Sequence, residues 1–348
     1  MERPIDFPQD RQMQCGCGHD FVAGSEWLGV WQEGHEACPV CGVTCEQNEA
    51  PRVIVDPGDL ALRDELVTPL HWYHTSTQPD WPTKDFDPAA NWGPDEIARM
   101  GGQDIVDNWV AGQRLKALHV GTYEAAIHNM LRRMGNQGDR EDQFYLYRVR
   151  LHPGVKVQAG WIRDPGGAWG DVPLLDVCPP GVDVARYLNQ HEDVGRLSLA
   201  LARGAIASVQ RLAVPQPGGG NDDWERDALE AITLADATAP DLTCEPSKLD
   251  QFRAQPPDIR RRRAAAAALF ALSEQLPLDI QFRFSDAVAI SVDDDPVLWA
   301  RRVSELSALI LEPSIVLAAL DEQSLRPVGA RYLASESALK HARPNSKT

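Results

Sequence analysis

The chain lacks any run of 18 apolar residues, and its opening Met1-Glu-Arg-Pro-Ile-Asp6 is polar, without the apolar centre of a secretory leader. No membrane span is expected, and the expected compartment is the cytoplasm. Basic charge is short as well: 34 Lys and Arg stand against 51 Asp and Glu, a formal net charge of −17 at pH 7. Such a surface repels a phosphate backbone at long range, so general nucleic-acid binding is disfavoured. No internal repeat is visible, which argues against a solenoid or propeller. Cysteine is sparse outside one segment, with five of seven between positions 15 and 45 and Cys178 and Cys244 isolated. That clustering differs from the even spread of a disulfide framework.

What is present is an ordinary globular composition, 43% hydrophobic over 348 residues. At roughly 150 residues per domain, this is room for one large or two ordinary domains with real cores. Within the cysteine segment stand Cys15-Gly-Cys17-Gly and Cys38-Pro-Val-Cys41-Gly, with twenty residues between Cys17 and Cys38. Two tight turns carrying paired thiolates can complete a tetrahedral zinc site, and so short a segment depends on the metal to fold. A zinc ribbon over residues 1–50 is therefore expected, with Cys15, Cys17, Cys38 and Cys41 as ligands and His19 and Cys45 in reserve. Its intervening loop holds Trp27 and Trp31 but no Lys or Arg. Stacking platforms without cations suit a nucleic-acid strand poorly, so a bracing or protein-recognition role is expected.

Downstream, three pieces belong together. Trp72-Tyr-His-Thr-Ser-Thr77 and Leu118-His-Val-Gly-Thr122 read as short strands ending in hydroxyl or glycine residues. The second passes directly into a helix with Glu124 in its first turn and Ala126, Ile127 and Met130 behind. Phe144-Tyr-Leu-Tyr-Arg-Val-Arg-Leu151 is a strand of alternating aromatics. Strand ends of this kind describe a split sheet with a ligand cleft. The expected fold class is α+β, a split mixed or antiparallel sheet over 51–215 with the ribbon before it.

The order Tyr-His-Thr, then Val-Gly-Thr-x-x-Ala-Ala, then a Tyr-rich strand resembles the ADP-ribosyltransferase fold of diphtheria-type toxins, poly(ADP-ribose) polymerases and rifampin-modifying transferases. Thr75 replaces the family's usual Gly, and counting back from Ala125-Ala126 places Leu118 where a Tyr is usual, with His119 beside it. The resemblance covers about residues 68 to 214. It implies that His74, with Thr75 and Ser76, binds NAD through a ribose hydroxyl, and that His119 or Tyr123 walls the nicotinamide. It also implies that Glu192, in Gln190-His-Glu192, is the catalytic carboxylate, with Asp193 or Ser198 as substitutes. The implied activity is transfer of ADP-ribose from NAD to a protein, nucleic acid or small-molecule acceptor, with nicotinamide released. Two alternatives share the fold: an NAD-dependent RNA 2'-phosphotransferase, which grips phosphate with arginines, and a non-catalytic binding module.

The remaining expectations concern organisation. Residues 51–66 read as a polar connector, and 78–95 as a Pro/Trp-rich loop near the cleft mouth. A short helix is expected over 182–188, strands from Arg196 and from Ile206, and a protease-sensitive linker at 215–220. Beyond it a helical domain over 221–335 is expected, with helices near 223–236, 258–275 and 296–321 and a basic tail at 336–348. Four arginines, Arg260 to Arg263, oppose the dipole of the middle helix, so anionic partners on the chain's own surface are expected for them. Partner proteins would meet the ribbon or the helices.

Overall fold

The computed structural model describes residues 1–8, 10–24, 26–28, 36–44, 50–83, 86–166, 172–237, 257–291 and 294–328. Cys45, Trp31, Cys244 and the tail at 336–348 lie outside them. The protein is α+β.

In chain order, β1 (Arg11–Gln14), β2 (Asp20–Ala23) and β3 (Arg52–Val53) form a small antiparallel sheet, and α1 (Asp64–Val67) leads to β4 (Trp72–Ser76). Next come α2 (Pro94–Arg99), α3 (Gln103–Arg114), β5 (Leu118–Val120), α4 (Tyr123–Asn136), β6 (Phe144–Leu151) and β7 (Ile162–Arg163). After α5 (Leu174–Val177), three strands follow, β8 (Val184–Leu188), β9 (Leu197–Leu201) and β10 (Ile206–Val214). Five helices come after them: α6 (Asp222–Ala237), α7 (Pro257–Ser273), α8 (Leu278–Val288), α9 (Pro296–Leu311) and α10 (Pro313–Asp321). The last strand is β11 (Arg326–Pro327).

Two four-stranded sheets result, ordered β11-β10-β6-β4 and β5-β9-β8-β7. All their pairs are antiparallel except β7 with β8. A single bridge joins them, in which Tyr73 and Gly121 exchange backbone hydrogen bonds of 2.8 and 2.9 Å. Beyond that bridge β4 and β5 part, and the cleft opens between them.

Strand alternation sorts the side chains of β6 into two cores. Tyr147 and Val149 meet Trp72, Leu199, Leu201 and Val209 between the sheets, while Phe144 and Leu146 face the helices with Tyr73, Ile127 and Met130. That helical core continues through Ile280, Phe284, Trp299, Val303 and Leu306. The helices after residue 221 therefore share their core with the sheet instead of forming a unit apart. The connection at 215–220 is correspondingly tight. Gly218 donates its N–H to Glu305 (3.0 Å), Asn221 donates to Ser304 Oγ, and a Cβ on Gly220 would meet that same Oγ at 2.3 Å. Limited proteolysis should leave 215–220 intact under conditions that digest exposed loops, and a clean cut there would contradict the shared core.

Other expectations need correction. Residues 184–188 are a strand, β8, not a helix: all five side chains are buried because β8 runs between β7 and β9. An apolar run buried on both faces carries no period to separate strand from helix. The buried Arg186 there donates to the carbonyls of Ala61 (2.9 Å) and Gly160 (2.9 Å). The expected helix over 296–321 breaks into α9 and α10, bent by 88°. Pro313 has no N–H and drives Glu312 out of helical geometry, to φ −130°, ψ 50°. Helix α8, absent from the sequence reading, hides its period in the strand-like Ile-Gln-Phe-Arg-Phe, yet buries Ile280, Phe284, Ala287 and Val288. The connector at 51–66 is packed: Asp59 accepts from Ala61 N–H (2.9 Å) and Leu197 N–H (2.8 Å). Arg260 donates to the Ala235 carbonyl at 3.0 Å, at the end of α6. Among the described residues, no single helix is long and apolar enough to cross a membrane.

Candidate active cleft and metal centre

Both knuckles of the ribbon fold as expected. In the first, Cys15 N–H donates to the His19 carbonyl (2.9 Å) and Gly18 N–H to the Cys15 carbonyl (2.9 Å). In the second, Cys38 N–H donates to Val43 and Gly42 N–H to Cys38, each at 2.9 Å. These turns bring the sulfurs of Cys15, Cys17, Cys38 and Cys41 within 4.8 Å of one another. The Sγ atoms of Cys15 and Cys41 are 3.6 Å apart, and those of Cys17 and Cys38 are 3.9 Å apart. A tetrahedron with zinc–sulfur bonds of about 2.3 Å has edges of about 3.8 Å, so the four residues fit the metal. Burial opposes ionisation of Cys38, but the backbone N–H groups of Cys41 and Val40 hold its thiol down at about 6. His19 is not in the cluster; its ring stacks on Phe21 at 5.5 Å.

The second centre is a cleft of about 240 Å³ between β4, β5, α4 and the loop after β8. From β4, His74 lines it and stacks on Trp81, with centroids 4.0 Å apart and planes at 20°. Trp81, from the Pro/Trp-rich loop, rests on Tyr147 at 5.2 Å. Burial, with the nearby charge of Arg133, holds His74 at about 3 against its ordinary 6.5. The ring is therefore neutral across physiological pH. Between pH 6.5 and 3 the unfolded chain takes up this proton while the folded chain does not, so His74 lowers stability as pH falls. Thr75 also lines the cleft, with Oγ1 donating to the Ala126 carbonyl (2.9 Å), which ties β4 to α4. Ser76 does not line it. Its Oγ accepts from Gln78 N–H (3.1 Å) as the chain turns out of the strand.

From β5, His119 lines the cleft and shares a hydrogen bond of 3.1 Å between Nδ1 and the Tyr187 hydroxyl of β8. Burial raises the Tyr187 phenol well above 10, and the charges of Glu192 and Asp164 push it the same way, so it remains protonated. Gly121 follows β5, and an added Cβ there would lie 2.8 Å from Ala125 Cβ and 2.9 Å from Ser198 Oγ. Only glycine allows β5 to turn into α4 so close to β9. Thr122 caps α4 by accepting from Ala125 N–H (3.0 Å).

Asn189 shapes the loop after β8. Its Oδ1 accepts from the N–H groups of His191 (3.0 Å) and Glu192 (2.8 Å), and its Nδ2 donates to Ser198 Oγ (3.0 Å). Glu192 thereby faces α4, where Asn129 Nδ2 and Arg132 each lie 3.4 Å from its Oε1. The cleft thus brings together His74, Thr75, His119, Glu192 and Ser198.

Tyr123 and Asp193 lie elsewhere. The Tyr123 ring is buried against Tyr73 and Phe7, and its hydroxyl donates to the Leu309 carbonyl (2.8 Å). Asp193 is buried beneath the loop, paired with Arg11 at 3.0 Å. Neither lines the cleft. The sequence reading missed Asn129, Arg132, Arg133, Asp164, Tyr187 and Asn189, which do. The spacing Ala125-Ala126-x-x-Asn129-x-x-Arg132 marks one helical face and could have disclosed the α4 members.

Comparison with protein-family models, with characterised proteins and with solved structures finds no match for this chain.

Proposed function

We propose that this cleft binds NAD and transfers its ADP-ribose to an acceptor, releasing nicotinamide, as the resemblance to ADP-ribosyltransferases implies. The observation that supports the reading is convergence. His74, His119 and Glu192, drawn from three separate segments, line one cleft between two parted sheets.

In that reaction the bond from ribose C1' to the nicotinamide nitrogen breaks, its electron pair neutralises the pyridinium, and positive charge gathers on the ribose. Neutral His74 can donate to or accept from a ribose hydroxyl, and its stacking on Trp81 fixes the ring for that contact. His119, held by Tyr187, forms a wall beside it. The Glu192 carboxylate, oriented by Asn129 and Arg132, opposes the developing charge, the kind of fixed electrostatics that contributes most to such catalysis. The acceptor then bonds to C1' and gives up its proton. Zinc stands apart from this chemistry, in the ribbon.

His74→Ala should raise the Kd for NAD roughly tenfold, the loss of one hydrogen bond and its ring contact. The rate at saturation should change little, because the contact exists in ground and transition states alike. Affinity of the unaltered protein should be flat between pH 5 and 8, since His74 stays neutral there. Labelled NAD checks all three, and an unaltered protein that neither binds NAD nor releases nicotinamide refutes the reading.

One observation favours RNA 2'-phosphotransfer as the second reading: Arg132 and Arg133 both line the cleft, where guanidinium groups could hold a phosphate. Loss of phosphate from a 2'-phosphorylated RNA only when NAD is present would select it.

A further inference from the structure

We infer that the metal ribbon positions Glu192, acting through Arg11 and Asp193, so that metal occupancy and the reactivity of the cleft are coupled. This rests on the reading of the cleft as an NAD-consuming site.

Arg11 opens β1, the strand that runs directly into the first knuckle at Cys15. Its guanidinium reaches Asp193 Oδ1 at 3.0 Å, with the two side chains 5% and 3% exposed. The other oxygen of Asp193 accepts from Thr122 Oγ1 at 2.6 Å. Thr122 is the N-cap of α4, and α4 supplies Asn129 and Arg132 to Glu192. One buried carboxylate therefore joins the ribbon, the start of α4 and the loop that carries Glu192.

The next two residues of the loop also belong to the ribbon. Val194 is part of its small core, with Met13, Ala23, Leu28 and Val53. Gly195 has φ +93°, and a Cβ there would lie 3.1 Å from Val53 Cγ1 and 3.3 Å from Arg11 Cδ. Its carbonyl accepts from Asp56 N–H at 3.1 Å, which ties the loop to the segment that follows β3. Glu192 faces the cleft, whereas 193, 194 and 195 face the ribbon.

The coupling follows from what holds each part. Among the described residues the ribbon contributes four buried side chains, Met13, Ala23, Leu28 and Val53, to a small core completed by Val194, and so short a unit needs the metal to fold. Removing one partner of a buried ion pair strongly destabilises the other, so without Arg11 the loop would re-form around an Asp193 that has lost its direct ion pair and keeps its Thr122 hydrogen bond. A displacement of about 1 Å in a catalytic group can lower a rate about a hundredfold without altering substrate binding. Asp193 and Arg11 are positioning residues; neither lines the cleft.

The test uses the metal-loaded full chain as unaltered protein, Arg11→Met and Arg11→Lys. Zinc content, kcat and KM for nicotinamide release, and amide hydrogen exchange over 189–198 are read for each. Arg11→Met should keep its zinc and hold KM within about twofold, while kcat falls about ten- to a hundredfold. Exchange over 189–198 should quicken, and Arg11→Lys should recover most of both losses. Stripping zinc from the unaltered protein should quicken the same amides, which keeps the test open if Arg11→Met does not fold. Unchanged exchange over 189–198 after zinc removal overturns the coupling, as does an Arg11→Met protein with unaltered kcat. If the unaltered protein releases no nicotinamide while its loop exchange responds to zinc, the coupling stands and the reading of the cleft fails.

Discussion

Glu192→Gln should lower nicotinamide release by roughly a hundred- to a thousandfold and leave NAD binding within about twofold, the range seen when one well-placed electrostatic group is lost. Glutamine keeps the length of the side chain and an oxygen facing Asn129 and Arg132, so the cleft keeps its shape and loses one charge. The neighbouring Asp193→Asn should behave differently. It removes the carboxylate charge 3.0 Å from the buried Arg11, so it should lower thermal stability as well as rate, whereas Glu192→Gln should melt like the unaltered protein. Single-turnover nicotinamide release, NAD titration and thermal melts of the two variants decide the matter. A fully active Glu192→Gln beside an inactive, normally stable Asp193→Asn would move the catalytic role by one residue.

The second large effect is loss of the metal. Elemental analysis should find close to one zinc per chain, and a strong chelator should unfold the ribbon. Zinc binding to such sites has an apparent free energy of about 10 kcal/mol or more at neutral pH, and in so small a unit that energy is folding energy. Four further thiols, those of Cys15, Cys17, Cys38 and Cys41, should become reactive on chelation. Cys178, buried and donating to the Ala200 carbonyl at 3.6 Å, should not. Acid should favour zinc loss, because protons compete with the metal for each thiolate. A metal-free protein whose melting is indifferent to chelators would remove the zinc centre altogether.

The residues of the cleft show why some of it was legible and some was not. His74 and His119 stand near strand ends beside small or hydroxyl residues, a local signal that survives folding. Tyr123 failed as a wall residue for a reason of helical phase. It lies two residues before Ala125, about 200° around α4 at 100° per residue, so with Ala125 in the cleft it points into the core. Glu192 and Asp193 could not be separated by sequence, since both are acidic residues of one polar turn. They part because Asn189 accepts from the Glu192 N–H while Asp193 meets Arg11, 182 residues away.

What the sequence by itself determined was therefore local. The two knuckles close within a few residues of each cysteine pair, Thr122 caps the helix that follows it, and the alternation of β6 assigns its faces. Long-range pairing decided everything else. Burial on both faces made 184–188 a strand, a core shared across the chain drew the helices onto the sheet, and the turn after β8 placed Glu192 in the cleft while Asp193 met Arg11. Such contacts depend on which distant segments meet, and no short window of residues carries that information.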